Sequence, residues 1–285
     1  MRTYLDCYPC FLRQALEAAR MARADENRQY RVLQEVLNEL GRFKLSSTPP
    51  EMAYRIHQIV RQEMGGRDPY RQAKETSTRQ ALALYPRLKA LVAEADDPLE
   101  TAVRLSIAGN IIDLGLGGGY DLEGTIERVL AQPFAIDAYA AFRDGLTRAD
   151  WVLYLADNAG ETVFDRVLIE TLDRPVTYAV KGGPILNDAT RHDALAAGLG
   201  PVTTIVDSGS NAPGTIIELC SQEFRHLLDQ AELIIAKGQA NYESLSGIAV
   251  PIFFLLQAKC PVIAQSLEVP VKSIVLKQGD LSLMK

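Results

Sequence analysis

The sequence predicts an α/β protein in which a mostly helical N-terminal half, residues 1–149, precedes a doubly wound, mostly parallel sheet in residues 150–285. Three observations carry this expectation: apolar residues recur at helical spacing up to about Arg148, short β-rich apolar runs replace them afterwards, and helix-like stretches separate those runs. In chain order, Phe11, Ala15, Ala18 and Ala19 mark the first helix, and Val32, Leu33, Val36, Leu37 and Leu40 mark the next. Turns are expected at Ser46 to Pro50, Gly65 to Pro69, Asp96 to Pro98 and Gly115 to Gly119, with Glu51 following Thr48 and a proline pair as a helix start. Strands are expected at Trp151–Leu155, Val176–Val180, Val202–Val206, Leu233–Ala236, Val262–Ala264 and Ser273–Leu276, and helices at Glu161–Leu172 and Thr215–Leu228. Such alternation favours parallel strands joined by crossover helices. Phe253 and Phe254 read as packing residues.

With 285 residues, 47% of them apolar, the chain can bury one large core or two modest ones, which excludes disorder, collagen and a disulfide miniprotein. Its net charge of -6 and lack of a basic cluster argue against a nucleic-acid or anionic-membrane partner. The acidity is uneven: residues 1–150 carry 20 basic and 21 acidic side chains, the remainder 10 and 15. A cation site in the C-terminal half is consistent with that imbalance. No apolar run is long enough to span a bilayer and Met1–Tyr8 lacks a signal-peptide pattern, so the expected location is the cytosol, with Cys7, Cys10, Cys220 and Cys260 as free thiols.

In an open parallel sheet ligands bind at the carboxyl ends of the strands, where loops leave the sheet and helix N-termini point outward. Four successive expected strands are each followed there by an unusual polar loop: Asp157-Asn158-Ala159-Gly160-Glu161, Lys181-Gly182-Gly183-Pro184 through Asn187-Asp188, Asp207 through Gly214-Thr215, and Lys237-Gly238-Gln239-Ala240-Asn241-Tyr242-Glu243. Taken singly, each is equally a helix cap, a turn or a solvated lysine. Together they combine oxygen donors suited to a hard divalent cation (Asp157, Asn158, Asp188) with donors suited to phosphate (Lys181, Lys237, Ser210, Thr215). A metal beside a phosphate cradle points to phosphoryl chemistry. The three histidines, His57, His192 and His226, are scattered and form no competing motif.

The first, second and fourth of these loops, Asp157–Glu161, Lys181–Thr190 and Lys237–Glu243, with Cys7-Tyr8-Pro9-Cys10, Asp68-Pro69-Tyr70 with Lys74, and Ala108-Gly109-Asn110-Ile111-Ile112-Asp113, resemble the metal-dependent damage-control phosphatases. That family is also filed as domain of unknown function eighty-nine and described as acidic-residue methyltransferase-like; the CxxC start resembles its microbial subfamily. The resemblance implies a helical region packed on a Rossmann-like α/β domain. It further implies a divalent metal (Mg2+, Mn2+, Co2+ or Ni2+) held by Asp157, Asn158 and Asp188, with Asp157 and Lys237 in catalytic roles. Lys237 would bind phosphate, and Asn110 and Asp113 would be added to the cleft from the helical region. Characterised members of the family hydrolyse phosphate esters of small metabolites such as sugar phosphates, which makes an ester of that class the expected substrate type, while the resemblance does not imply the individual substrate.

Two motifs need more care. Cys7 and Cys10 have metal-ligand spacing, but a structural zinc needs four ligands and no second CxxC exists, so structural thiols are the default reading. Leu114 to Gly119 lacks both GxGxxG order and a preceding strand, which disfavours a dinucleotide loop. Two alternatives to the phosphatase stay open at this point. An S-adenosylmethionine-dependent carboxyl methyltransferase fits the sheet but leaves the oxygen donors unexplained; a non-catalytic phosphometabolite-binding protein would use them without turnover. The oligomeric state is not legible.

Overall fold

Six helices precede the first strand among the described residues: α1 (Cys7–Met21), α2 (Glu26–Leu40), α3 (Pro49–Glu63), α4 (Arg71–Ala93), α5 (Pro98–Ile111) and α6 (Leu122–Ala131). The computed structural model describes residues 1–66, 68–111, 122–280 and 282, so Asp113 and the segment Leu114 to Gly119 lie outside the described residues. Local chemistry sets several of the starts. Asp25 caps α2 by accepting from Arg28 N at 2.8 Å, and Thr48 and Glu51 form a reciprocal capping box ahead of the Pro49-Pro50 pair of α3. Phe11, Ala15, Val32, Val36, Met52 and Ile56 form the shared core of α1 to α3.

β1 (Ile136–Asp137) and α7 (Tyr139–Arg148) follow, then β2 (Val152–Leu155), α8 (Thr162–Ile169), β3 (Val176–Val180), α9 (Arg191–Ala196) and β4 (Thr204–Asp207). The chain ends with α10 (Gln222–Gln230), β5 (Ile234–Lys237), α11 (Gly238–Leu245), β6 (Ile252–Gln257), α12 (Pro261–Leu267) and β7 (Ile274–Gln278). The described strands form one seven-stranded sheet in the order β1-β7-β6-β5-β2-β3-β4, parallel except for the β6–β7 pair. The α/β class with a mostly parallel sheet is thus as the sequence predicts. Residues before 150 also supply one edge strand, β1, which pairs with β7.

One expected strand is displaced, and the helix expected at Thr215–Leu228 begins only at Gln222, where Ser221 caps it by accepting from Phe224 N at 3.1 Å. Val262–Ala264 belongs to helix α12, where Pro261 stands in the first turn, and the strand between β5 and β7 is instead Ile252–Gln257. The six residues of β6 are all buried, so the run lacks the alternation that betrays a half-buried strand, and three apolar residues such as Val262-Ile263-Ala264 cannot distinguish helix from strand by period.

Both sheet faces are covered. Alternate residues segregate: Val152, Tyr154, Ile235, Phe253 and Leu255 pack with α5 and α8, whereas Leu153, Leu155, Ile234, Ala236 and Phe254 pack with α10, α11 and α12. This two-residue period places Lys237 on the face of Ile235, toward α5 and α8. Strands β2 and β5 are neighbours, and the chain winds outward from them in opposite directions, β2 to β3 and β4, β5 to β6. That is the topological switch point, where the rim opens into a crevice.

His57, on α3, is buried with no hydrogen-bond partner for Nε2, and burial pushes its pKa down to about 4 from 6.5. Between those values the unfolded chain binds a proton that the native state refuses, so stability is full above pH 6.5 and is lost as pH falls toward 4. At pH 4.5 the loss from this group amounts to about 2–3 kcal/mol. His57→Leu is therefore expected to flatten the acid limb: urea unfolding at pH 7.5 and 4.5 should show a smaller drop for the variant than for the wild type, and equal drops would mean that His57 protonates freely in the fold.

Candidate active site

Asp157 follows β2 and Asp188 ends the loop after β3, and the backbone holds the two loops together. Ala189 N donates to Asp157 O at 2.7 Å, Ala159 N donates to Asn187 O at 2.8 Å, and Asn158 and Asp188 form an isolated antiparallel bridge. From the other side of the switch point, Gly238 opens α11 at φ +78°, and a Cβ there would run into the Asp157 carboxylate. Only glycine permits both that backbone conformation and that approach.

Helix α5 brings Ser106 and Asn110, one turn apart on one face, over the same carboxylates. The Asn110 amide donates to Asp157 Oδ2 at 2.8 Å and to Glu161 Oε1 at 2.6 Å. The Asn158 amide donates to the same two atoms, at 3.3 and 2.5 Å. Beneath them lies a second layer that sequence reasoning missed. Fully buried Lys237 donates to Asp165 Oδ1 at 2.7 Å, to Glu161 Oε2 at 3.0 Å and to Ser106 O at 2.9 Å. Asp165 also accepts from Tyr154 OH and Tyr178 OH, each at 2.7 Å, and from Ser106 Oγ at 3.1 Å. Every oxygen and ammonium proton in this layer has a partner, as a buried polar network requires.

Charge and burial act on these groups in recognisable directions. Burial, then the neighbouring Glu161 and Asp188 charges, push the Asp157 carboxyl well above the usual range, while Lys259 and Lys181 pull against them. Asp188 is pushed up to about 6 by burial, offset by Lys181 and Lys74. Burial alone would lower Lys237, but Asp165 and Glu161 outweigh it and hold the ammonium well above the ordinary lysine value.

The four residues expected to contact phosphate from the rim are not presented to a ligand as foreseen. Lys237 points under the site because of its strand register. Lys181 donates to Gly214 O and pairs with Asp188 at 3.5 Å. Ser210 Oγ accepts from Ala212 N at 3.2 Å, and Thr215 Oγ1 donates to Asn241 Oδ1 at 2.9 Å. Lys181 and Thr215 thus tie neighbouring rim segments together, and Ser210 holds its own loop.

A cavity of about 400 Å³ opens over Asp157, Asn158 and Asp188, walled by α1 and α3 on the helical side and by the β5–α11 and β6–α12 junctions on the other. Cys7, Cys10 and Cys260 line it, whereas Cys220 does not; all four are free thiols. Among the described residues, no group of three or more His, Cys, Asp or Glu side chains is gathered as a ready metal centre. The oxygen donors nevertheless fit a divalent cation completed by Asn158. Buried carboxylates (Asp157, Glu161, Asp165, Asp188 and, on the cavity wall, Glu243) outnumber the two buried ammonium groups set among them (Lys181, Lys237). The buried acceptor Asn110 Oδ1 lacks a hydrogen-bond partner, and Asp188 Oδ2 has only its 3.5 Å ion pair with Lys181.

Among the described residues, no helix is long and apolar enough to cross a membrane. A crystal structure of a DUF89 family protein from Pyrococcus horikoshii superposes with a TM-score of 0.91 at 33% identity, covering 98% of this chain and all of that one. The chain is 33% identical to a damage-control phosphatase of the same organism over 99% of its length and 100% of the relative's. It is 35% identical to a damage-control phosphatase of Archaeoglobus fulgidus, over 95% and 97% of the two chains. An uncharacterised protein of Methanocaldococcus jannaschii is 36% identical, over 95% and 93%. The model of the damage-control phosphatase ARMT1-like domain matches residues 3–275, and with full-length relatives of this similarity the chain belongs to that family.

Proposed function

We propose that the protein is a metal-dependent phosphomonoesterase acting on small phosphorylated metabolites, sugar phosphates among them. The observation that carries this reading is the pair of aspartates from adjacent rim loops, set in a cavity whose buried charges leave room for one divalent cation. Asp157, Asn158 and Asp188 would hold the ion, with Mg2+, Mn2+, Co2+ and Ni2+ as candidates. When bound, it would supply positive charge to offset phosphate oxygens as the ester bond breaks.

The chain's own residues prepare the rest. Asn110 and Asn158 aim the Asp157 carboxylate by donating to Oδ2, and Glu161, anchored by Lys237, fixes both amides in turn. Helices α1 and α3 cover the rim, which removes water from around the reacting group and strengthens each charge contact there. The relatives named as damage-control phosphatases support the same reading.

The test is a screen of p-nitrophenyl phosphate and phosphorylated metabolites with chelated protein to which each metal is returned. Phosphate release should appear only when a metal is restored. Release that survives chelation, or none with any metal, would rule this function out.

A further inference from the structure

The buried carboxyl groups at the site divide into those already engaged and one that is not. Asp157 accepts from two amides, Asp188 pairs with Lys181, and Glu161 and Asp165 share Lys237. Glu243 differs from all four. It lies on α11, is buried, and lines the cavity together with Asp157 and Asn158. Its Oε1 accepts from Gln239 Nε2 at 3.1 Å, while among the described residues its other oxygen takes no hydrogen bond and the carboxyl makes no ion pair.

The helix beneath it is fixed. The Asn241 amide donates to Ala156 O at 3.1 Å and to Lys237 O at 2.8 Å, Ser244 Oγ accepts from Thr215 N at 3.0 Å, and the Met1 ammonium donates to Glu243 O at 2.6 Å. Gly238, which opens α11, abuts the Asp157 carboxylate. Five residues on, Glu243 stands about 7.5 Å farther along the helix axis, a separation that suits contact with the far side of an ester whose phosphate sits at Asp157.

Burial pushes the Glu243 carboxyl up to about 7, offset by the Gln239 amide and the Met1 ammonium. The titratable groups facing it are that ammonium, on which Glu51 of α3 also acts, and the Cys7 and Cys260 thiols, which burial pushes up. Strand β6, packed on α11, carries none; Asp6, Arg13, Asp157, Asp188 and Lys259 line other parts of the cavity. No histidine lines it.

We infer that Glu243 is a further catalytic residue, the acid that protonates the departing oxygen of the ester. This rests on the phosphate-ester reading. Water adds to phosphorus, the bond between phosphorus and the ester oxygen breaks, and its electron pair stays on that oxygen. The oxygen takes the Glu243 proton and leaves as an alcohol, and the proton lost by the attacking water restores the carboxyl through solvent. An aliphatic alkoxide needs such a donor, whereas p-nitrophenolate leaves without one.

The experiment uses the full chain as wild type and Glu243→Gln, which keeps the shape of the neutral carboxyl. Hydrolysis of glycerol phosphate and of p-nitrophenyl phosphate is followed with Mn2+ restored, over about two pH units either side of 7. Glu243→Gln is expected to lower kcat/KM on the aliphatic ester by about a hundredfold or more and on p-nitrophenyl phosphate by no more than about threefold, with the Mn2+ shift in thermal unfolding unchanged. The wild-type rate on the aliphatic ester should fall as pH rises through about 7, since the acid must hold its proton, and the variant should lack that limb. The assignment is overturned if the variant loses both esters equally, if it loses neither, or if the wild type cleaves p-nitrophenyl phosphate but not the aliphatic ester; each of these leaves the phosphatase reading standing. Should the variant not fold, absence of the wild-type limb on the aliphatic ester overturns the assignment by itself. A wild type that cleaves neither ester with any metal removes the phosphatase reading and this role with it.

Discussion

Lys237→Met is expected to cost about 3–5 kcal/mol of stability, the range seen when one partner of a buried ion pair is removed. The ammonium is wholly buried and is the cation bonded to both Glu161 and Asp165, so its loss leaves two carboxylates in a dry interior beside Ser106 and two tyrosines. Methionine fills much of the same volume, which separates the charge effect from a cavity effect. Chemical denaturation at neutral pH measures the loss, and a double-mutant cycle with Asp165→Asn tests its origin. Neutralising Asp165 removes one of the stranded charges, so the double variant should lose clearly less than the two single losses added together. A single variant within about 0.5 kcal/mol of wild type would show that the pair contributes nothing net, as exposed pairs often do.

This prediction departs from what the motif alone suggests. A lysine after a buried strand and before glycine reads as a rim residue reaching outward, and family resemblance strengthens that reading. The register decides otherwise: Lys237 is the last residue of β5, two residues beyond Ile235, so it shares the inward face. The signal for its partners was present but quiet. Asp165 interrupts the apolar stretch Val163, Phe164, Val167, Leu168 on α8, and Tyr154 and Tyr178 stand in strands otherwise made of aliphatic residues and Thr177. A carboxylate, a lysine and two phenols at core-facing positions are a self-satisfying set, since each would be costly to bury alone. Single-residue inspection sees a helix cap and two core tyrosines instead.

The rim itself was largely legible. Four polar loops after four strands follow from strand–loop alternation, and the family resemblance adds Asn110 to the cleft; it donates to Asp157. The fifth loop was lost with the strand before it. Because Ile252–Gln257 is apolar and buried throughout, its strand character left no periodic mark, and Lys259 and Cys260 lost their place at the carboxyl end of β6. One missed strand thus concealed the cavity's unpartnered lysine and one of its three thiols. The convergence of Cys7, Cys10 and Cys260 on one cavity also depends on contacts between segments 250 residues apart, which no local pattern records.

Asp157→Asn should abolish stabilisation by metal and lower metal-dependent turnover by about a thousandfold or more, because a bound divalent ion is worth several kcal/mol to phosphoryl-group chemistry. The substitution keeps the shape of the side chain, so Gly238 can still approach it and the fold should persist. In the absence of metal the variant is expected to be at least as stable as wild type, since burial and the Glu161 and Asp188 charges all act against the Asp157 carboxylate. Asp188→Asn should behave alike toward the metal, whereas Asp165→Asn, which lies beneath the cavity on Lys237, should lose stability without losing metal response. Thermal unfolding with and without Mn2+ distinguishes these cases: an ion at about a hundred times its dissociation constant stabilises the native state by about 2.7 kcal/mol, a shift readily seen in the midpoint. If Asp157→Asn and Asp188→Asn both retain the full Mn2+ shift, the cation is held elsewhere and the surplus charge over the β2 and β3 loops must be neutralised by protons.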